Sequence, residues 1–557
     1  MSERGWNLVW ILLVAALSSW ACVASTRQLG VTFDEPIYIE RGLQRWREGT
    51  LGPLIRLGTM PLPVDVQTAP LYLWELARGQ AFDPQADLPQ LLPVARAMNL
   101  VFWWLLLVYA FGLAQHLGGS WAGRLAVLLM ACEPSLLAHA ALATTDLSVT
   151  AALVALAYHF WIGRERSWGW RVGLPALWFG LAALCKASGP VFGVLLLLTL
   201  EGFRRLLPRP VKATTMPLGT MQADPVQATA RPSPEQPTFL HDAVQIVLLG
   251  TLLLFAYCRS DGQPQADALR WAENQPPGPA RDLAVRVVSV VRIFPNAADG
   301  FLRQVGHNAR GHGAYLLGVT SPSALWWYFP VLLTIKLTVP VLLLLLVLSL
   351  LAPRHLLNPA LAGVLGLLVF SVFCRVQIGI RFMFPLLALL LIGLSGAVVC
   401  WARQNAPRLA TMLASSCAVW SLLVAGLAWP NGLSFVNELY TRWRPASFCV
   451  SESNLDWGHG APLLQQWAAS QAIDRLAVWY YGTDPALARD DRLELVRLHE
   501  GDLEAHFQRL RGRYLAVSAT LVNGPPLTPS VVATRQRLHQ LTPLTRVGTF
   551  VIYEIRQ

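Results

Sequence analysis

Long apolar runs, separated by short polar and often proline-bearing stretches, dominate this chain and predict membrane-crossing helices. Ser323–Leu351 and Phe382–Val399 are too long for ordinary core elements. The pattern predicts about eleven spans: Asn7–Ala24, Met98–His116, Trp121–His139, Leu147–Ile162, Val172–Leu184, Gly189–Gly202, Asp242–Tyr257, Ala324–Ala352, Pro359–Phe373, Phe382–Trp401 and Leu409–Ala428. The fifth and sixth are short, and Pro134 and Pro175 interrupt the third and the fifth. The first resembles a signal peptide in part, but Cys22-Val23-Ala24 is a mediocre cleavage site, which favours an uncleaved anchor.

Orientation follows from the loops. With the N-terminus inside, loops 1–6, 163–171, 203–240, 353–358 and 402–408 are cytoplasmic and hold twelve Arg or Lys against four acids. That excess obeys the positive-inside rule. An odd number of spans then puts the C-terminal segment outside. The expected organisation is a transmembrane unit, 1–428, and an extracytoplasmic unit, 429–557. Within the first unit, 26–94 is an outside loop with charged surface helices around Glu35–Glu48, and 258–323 is another outside loop. Segment 204–238 has no aromatic residue and seven prolines, the composition of a disordered cytoplasmic linker. In the second unit, the strand-like runs Leu476–Tyr481, Tyr514–Ala519 and Thr549–Ile555 alternate with helix-like stretches, which predicts a small α/β domain.

Composition agrees with a polytopic α-helical membrane protein. Of 557 residues, 54% are hydrophobic and 14% charged, with a mean hydropathy of +0.43. Soluble domains carry roughly 25% charged residues, so a soluble chain, a disordered chain and a disulfide-rich scaffold are all excluded. The net charge of +11 comes from basic residues scattered over several loops, not one stripe, so it reports orientation and not nucleic-acid binding. The eight cysteines show no CxxC or zinc spacing and suit small core positions; a Cys258–Cys449 bridge stays open.

Few charges then remain near the bilayer, where ionisable residues are costly and are functional candidates by default. They are Asp34, Glu35, Glu133, Asp146, Lys186, Lys336, Arg375 and Arg381. On the expected topology Asp34, Glu35, Asp146, Lys186, Arg375 and Arg381 all fall at outer ends of spans, so carboxylates and cations from distant positions converge on one face. Each also has a plainer reading. Thr32-Phe33-Asp34-Glu35 has the spacing of a capping box, Thr144-Thr145-Asp146 suits a helix start, and the arginines can snorkel to headgroups. Glu133, before Pro134, suits hydrogen bonding around a helix break. The lysines carry more information. Lys186, Lys212 and Lys336 are the only lysines in an arginine-rich chain, and two of them lie in or beside apolar helices. Lys336 must face a polar cavity or pack between helices.

Taken in order, several motifs resemble the GT-C membrane glycosyltransferases, in particular the phospholipid-carrier-dependent branch related to protein O-mannosyltransferases and the lipid A aminoarabinose transferase. They are Thr32-Phe-Asp-Glu-Pro-Ile-Tyr, Leu137-Ala-His-Ala-Ala-Leu-Ala-Thr-Thr-Asp, Gly180-Leu-Ala-Ala-Leu-Cys-Lys-Ala-Ser, Tyr315-Leu-Leu-Gly through Trp326-Trp-Tyr-Phe-Pro to Lys336, Ile378-Gly-Ile-Arg-Phe-Met-Phe-Pro and Ser453-Asn-Leu-Asp-Trp-Gly. The resemblance implies that Asp34 is the catalytic aspartate, with Glu35 its companion. It also implies that Asp146, Lys186, Lys336 and Arg381 bind donor phosphate or substrate. The chain departs from the family at Thr68-Ala-Pro-Leu, where relatives often have His-Pro-Pro-Leu, and at Glu133.

The expected chemistry is transfer of a sugar from a polyprenyl-phosphate donor to a hydroxyl acceptor on protein, lipid or glycan, at the outer face of the cytoplasmic membrane and with inversion. One carboxylate serves as general base, and cations stabilise the leaving phosphate. No cofactor is required by these motifs; a divalent metal stays open, with His307 and His312 as candidate ligands. A transporter or lipid flippase is the alternative, although repeated halves, frequent in transporters, are absent from the sequence.

Overall fold

The computed structural model describes residues 2–206, 238–291 and 295–556. Most of the expected linker 204–238 therefore lies outside the described residues. All eleven apolar runs are helical, but length and apolarity qualify fewer of them as full spans. Among the described residues six helices are long and apolar enough to cross a membrane, or up to eight if each of two bent pairs is one span. Pro359–Phe373, for example, has 15 residues, about 22 Å of helix against a hydrocarbon core of about 30 Å. This is a multi-pass membrane protein.

Of the two bent pairs, the first has the break expected at Pro134, and the second corrects an expected continuous helix. Ser120–Ala131 and Pro134–Ala140 meet at 72°, with Glu133 capping the second piece through a 3.5 Å bond from the Ser135 amide. Tyr328–Lys336 and Val339–Leu351 meet at 112°, so the run Ala324–Ala352 is not one continuous helix. Pro340 fits the break: it has no N–H to offer the Lys336 carbonyl four residues earlier, its ring would clash with that carbonyl, and it suits the first turn of a new helix. Lys336 ends the first piece and Thr338 precedes the second in an extended conformation.

Polar bonds join the first helix, Glu3–Ser25, to its neighbours. Asn7 donates to Ser120 at 3.0 Å, and the Trp103 indole donates to Ser18 at 2.9 Å. The segment between the first helix and the next long one is helical over Glu35–Glu48, Gly52–Ile55 and Pro61–Arg78. The next helix begins at Leu88, ten residues before the expected start of that span. All eight cysteines are free thiols.

The strands are β1 (Ala314–Leu316), β2 (Val319–Ser321), β3 (Leu476–Trp479), β4 (Leu493–Leu495), β5 (Arg513–Ser518), β6 (Pro543–Val547) and β7 (Phe550–Ile555). β1 and β2 form a hairpin, and the other five form one mixed sheet in the order β4-β3-β5-β7-β6. β3 runs parallel to β4 and β5, whereas β7 is antiparallel to β5 and β6. Alternate residues of a strand point to opposite faces, and both faces of β3 are covered. Ala477 and Trp479 join a core with Phe507, Val531 and Leu538, while Leu476 and Val478 pack with Ala461, Leu464 and Ala468.

Candidate active site

Two loops and two helix ends build the site. The loop after the first helix leads through Thr32-Phe33-Asp34 into Glu35–Glu48, with Pro36 in its first turn. Asp146 opens the helix Asp146–Gly163, Lys186 lies between the helices Leu174–Cys185 and Gly189–Leu206, and Arg381 lies in a short turn that runs into Phe384–Gln404. All four chain positions fall at the same end of their helices.

Their side chains form one chain of charges. Arg381 Nη1 lies 3.1 Å from Asp34 Oδ2 and 3.6 Å from Asp146 Oδ2, and Lys186 Nζ is paired with Asp146 Oδ1. The plainer reading of Asp146 as a helix cap does not hold, because its carboxylate faces the two cations and makes no cap bond. Aromatic faces hold the cations from the other side. Lys186 Nζ is 3.9 Å from the Phe382 ring centre, and Arg381 Cζ is 4.2 Å from that of Trp457. Such contacts suit cations whose water has been removed. Only one of the two carboxylates is accessible: the Asp34 side chain is 24% exposed and that of Asp146 1%.

Glu35 is not brought into this cluster. Its carboxylate is fully buried and takes both Arg96 Nε (2.8 Å) and Arg96 Nη2 (2.7 Å), together with the amides of Thr32 (3.0 Å) and Ala143 (2.9 Å). Arg96 also donates to the carbonyls of Leu29 and Gly30 at 3.2 and 2.7 Å. Burial pushes the Glu35 carboxyl up, but the Arg96 charge and these hydrogen bonds outweigh it and hold it below the usual glutamate range. The group ties the Asp34 loop to the segment three residues before Asp146. Only half of the capping box forms, since the Thr32 hydroxyl has no partner.

Lys336 is also elsewhere. Its buried ammonium donates to the carbonyls of Leu433 (2.9 Å) and Asn454 (2.8 Å), filling the break in its own helix pair. Arg375 is bound to Asn308 and Ala309 in the helix Pro295–Arg310. His307 and His312 do meet, Nε2 to Nδ1 at 3.1 Å, and His312 lies 3.6 Å from Glu452. Among the described residues no three His, Cys, Asp or Glu form a metal-holding group. Thr68, at the departure from the family motif, hydrogen-bonds Val64 and Trp46 inside Pro61–Arg78 and its neighbour helix.

The motif Ser453–Gly458 connects the parts. Asn454 Oδ1 accepts from the Ile380 amide at 2.8 Å, Ser453 Oγ donates to the Ile378 carbonyl, and the Trp457 carbonyl accepts from the Phe33 amide at 3.0 Å. Sequence reasoning missed Arg96, Phe382 and Trp457 as site builders. A cavity of about 770 Å³ lies at the opposite ends of the same helices, lined by His116, Trp161, Arg354 and Trp401 among others, and is remote from the charges.

No protein-family model and no curated protein matches the chain. Solved structures do. The archaeal oligosaccharyltransferase AglB from Archaeoglobus fulgidus, in complex with an inhibitory peptide and a dolichol-phosphate, is 11% identical, with 98% of this chain and 74% of that chain covered and a TM-score of 0.50. ArnT from Cupriavidus metallidurans bound to undecaprenyl phosphate is 13% identical over 100% of both chains, with a TM-score of 0.48. At such identities the likeness is one of fold: the chain shares the fold of the AglB structure, in keeping with the resemblance carried by the ordered motifs.

Proposed function

We propose that the protein transfers a sugar from a polyprenyl-phosphate-linked donor to an acceptor hydroxyl at the outer face of the cytoplasmic membrane. The observation that carries this reading is the chain Asp34–Arg381–Asp146–Lys186, in which one accessible carboxylate adjoins two cations held at one end of the helices. Transfer needs both functions. A base must take the acceptor proton, and Asp34 is the carboxylate within reach of solvent. The departing phosphate has a second pKa of about 6, so it leaves ionised and needs cations in place of a proton donor. Arg381 and Lys186 supply them, oriented by Asp146 and by their aromatic supports. Direct displacement by the acceptor inverts the anomeric centre. A polyprenyl-phosphate donor is supported by the fold shared with a protein solved with dolichol-phosphate. Glu35 acts as a positioning residue and Lys336 as a structural one.

Charges collected at helix ends suit chemistry at a membrane face better than alternating access, which places binding sites near the midplane. Incubation of purified protein with radiolabelled polyprenyl-phospho-sugars and an envelope extract tests the proposal. Release of polyprenyl phosphate with label in an acceptor is expected. Movement of intact donor across vesicles without release would support the flippase instead.

A further inference from the structure

The C-terminal unit touches the Asp34 loop at close range. Thr483 Oγ1 donates to the Phe33 carbonyl at 3.0 Å, the Phe33 and Tyr481 rings stack at 5.5 Å, and the Gly30 amide donates to the His459 carbonyl at 2.9 Å. The Asp484 carboxylate accepts from the Val31 amide at 3.5 Å. With the bond from the Phe33 amide to the Trp457 carbonyl, three residues of one short stretch just before Asp34, namely Gly30, Val31 and Phe33, lie against one surface built from 457–459 and 481–484.

This surface has a definite place in the sheet. Tyr481–Asp484 follows the carboxyl end of β3, which lies between its two parallel neighbours. The crevice outside the carboxyl ends of parallel strands is where open α/β sheets bind ligands. Here the chain's own Asp34 loop sits beside that end. The fit leaves no slack. A Cβ on Gly30 would lie 2.9 Å from the His459 carbonyl oxygen, and one on Gly458, whose φ is +89°, would lie 3.0 Å from Gly482 Cα. The turn itself is braced, since the Tyr480 hydroxyl donates to the Gly458 carbonyl at 2.7 Å and the Tyr481 amide to Ser518 at 2.9 Å.

The same segment also holds the opposite side of the charge chain, through Asn454 on Ile380 and the Trp457 face under Arg381. We infer that residues 454–459 together with the turn Tyr481–Asp484 form a positioning device that sets Asp34 against Arg381. The C-terminal unit is thereby a working part of the transfer site. The inference rests on the reading of Asp34 as the base. Tyr481 and Thr483 are positioning residues: Tyr481 stacks on the Phe33 ring and Thr483 holds the Phe33 carbonyl, and together they aim the next side chain.

Steady-state transfer from a labelled polyprenyl-phospho-sugar, with full-length protein in detergent, tests it. Thr483→Val and Tyr481→Ala should each lower kcat about tenfold or more, because small displacements of reacting groups are costly, while KM for the donor stays within about twofold. Thr483→Ser, which keeps the hydroxyl, and Tyr481→Phe, which keeps the ring, should restore the rate. Thermal midpoints of all four show whether folding is retained, and if Tyr481→Ala does not fold the Thr483 pair decides. Unchanged kcat in Thr483→Val, or a loss that Thr483→Ser does not restore, overturns the device. Asp34→Asn separates the two ideas. If it is inactive while Thr483→Val is normal, the base assignment stands and the device fails; if Asp34→Asn is fully active, the base assignment itself fails.

Discussion

Asp34 and Arg381, 347 positions apart in the chain, meet at 3.1 Å, and the same guanidinium lies 3.6 Å from the buried Asp146. One cation therefore serves an accessible carboxylate and an inaccessible one. Such a planar, multi-donor group is not replaceable by a compact ammonium. Arg381→Lys should lower kcat/KM for transfer by about a hundredfold, the size of effect seen when one preorganised electrostatic group is lost. Donor turnover at matched protein levels measures it, and a loss below about threefold would contradict the role.

Lys186 and Asp146 form a largely buried pair, and removing Lys186 leaves the buried Asp146 carboxylate with Arg381 as its remaining ion-pair partner. Lys186→Met alone should destabilise by about 3 kcal/mol or more. Adding Asp146→Asn should recover part of that cost, giving a coupling of opposite sign in a double-mutant cycle. Unfolding in detergent measures all three variants. Strictly additive losses would show that the two groups do not interact.

Acid stability follows from the buried groups outside the membrane spans. Glu35 has a folded pKa below its usual value, so its contribution is fully present above about pH 4.3 and is lost as pH falls through the folded value. Burial lowers His459 to about 4, which removes stability as pH falls from about 6.5 towards that value. Burial raises Asp456 to about 6, which works in the opposite direction over much of the same interval. The two largely offset each other, and the steepest loss of thermal midpoint should come below about pH 4.5, from Glu35. Glu35→Gln should flatten that limb and lower stability at pH 7, because Arg96 loses its partner. A variant with the same acid limb as the parent would place the titration elsewhere.

Lys336 separates a structural role from a phosphate-binding one. Its two carbonyl partners and its place at a helix break predict that Lys336→Met lowers the thermal midpoint while leaving donor KM within about twofold in the folded fraction. A large rise in donor KM at unchanged stability would return Lys336 to the site.

The contrast between Lys336 and Lys186 shows what the sequence can and cannot reveal. Asp34, Asp146, Lys186 and Arg381 stand out because charges beside apolar runs are conspicuous, and the order of the motifs pointed to one membrane face. The fold class was legible in the same way, from runs too apolar for water. Lys336 packs between helices, as its place in an apolar run requires, but the sequence does not separate it from Lys186, because the run Ala324–Ala352 looks uniform although its two helices meet at 112°. Arg96 was hidden by taking the span from Met98, whereas Leu91, Leu92 and Ala95 are buried and already belong to the same helix. Glu35 sits next to Asp34, but its side chain points to Arg96, a distinction set by tertiary packing. Trp457 lies in a motif that stands out in the sequence, but its place under Arg381 does not, and Thr483 reaches the Asp34 loop across hundreds of residues with no local spacing to announce it.

The account depends most on Asp34 as the group that takes the acceptor proton. Asp34→Asn preserves the shape of the side chain and removes its basicity. Transfer from a labelled polyprenyl-phospho-sugar by the folded variant should fall about a thousandfold, with donor binding retained. Full transfer by folded Asp34→Asn protein would contradict the account.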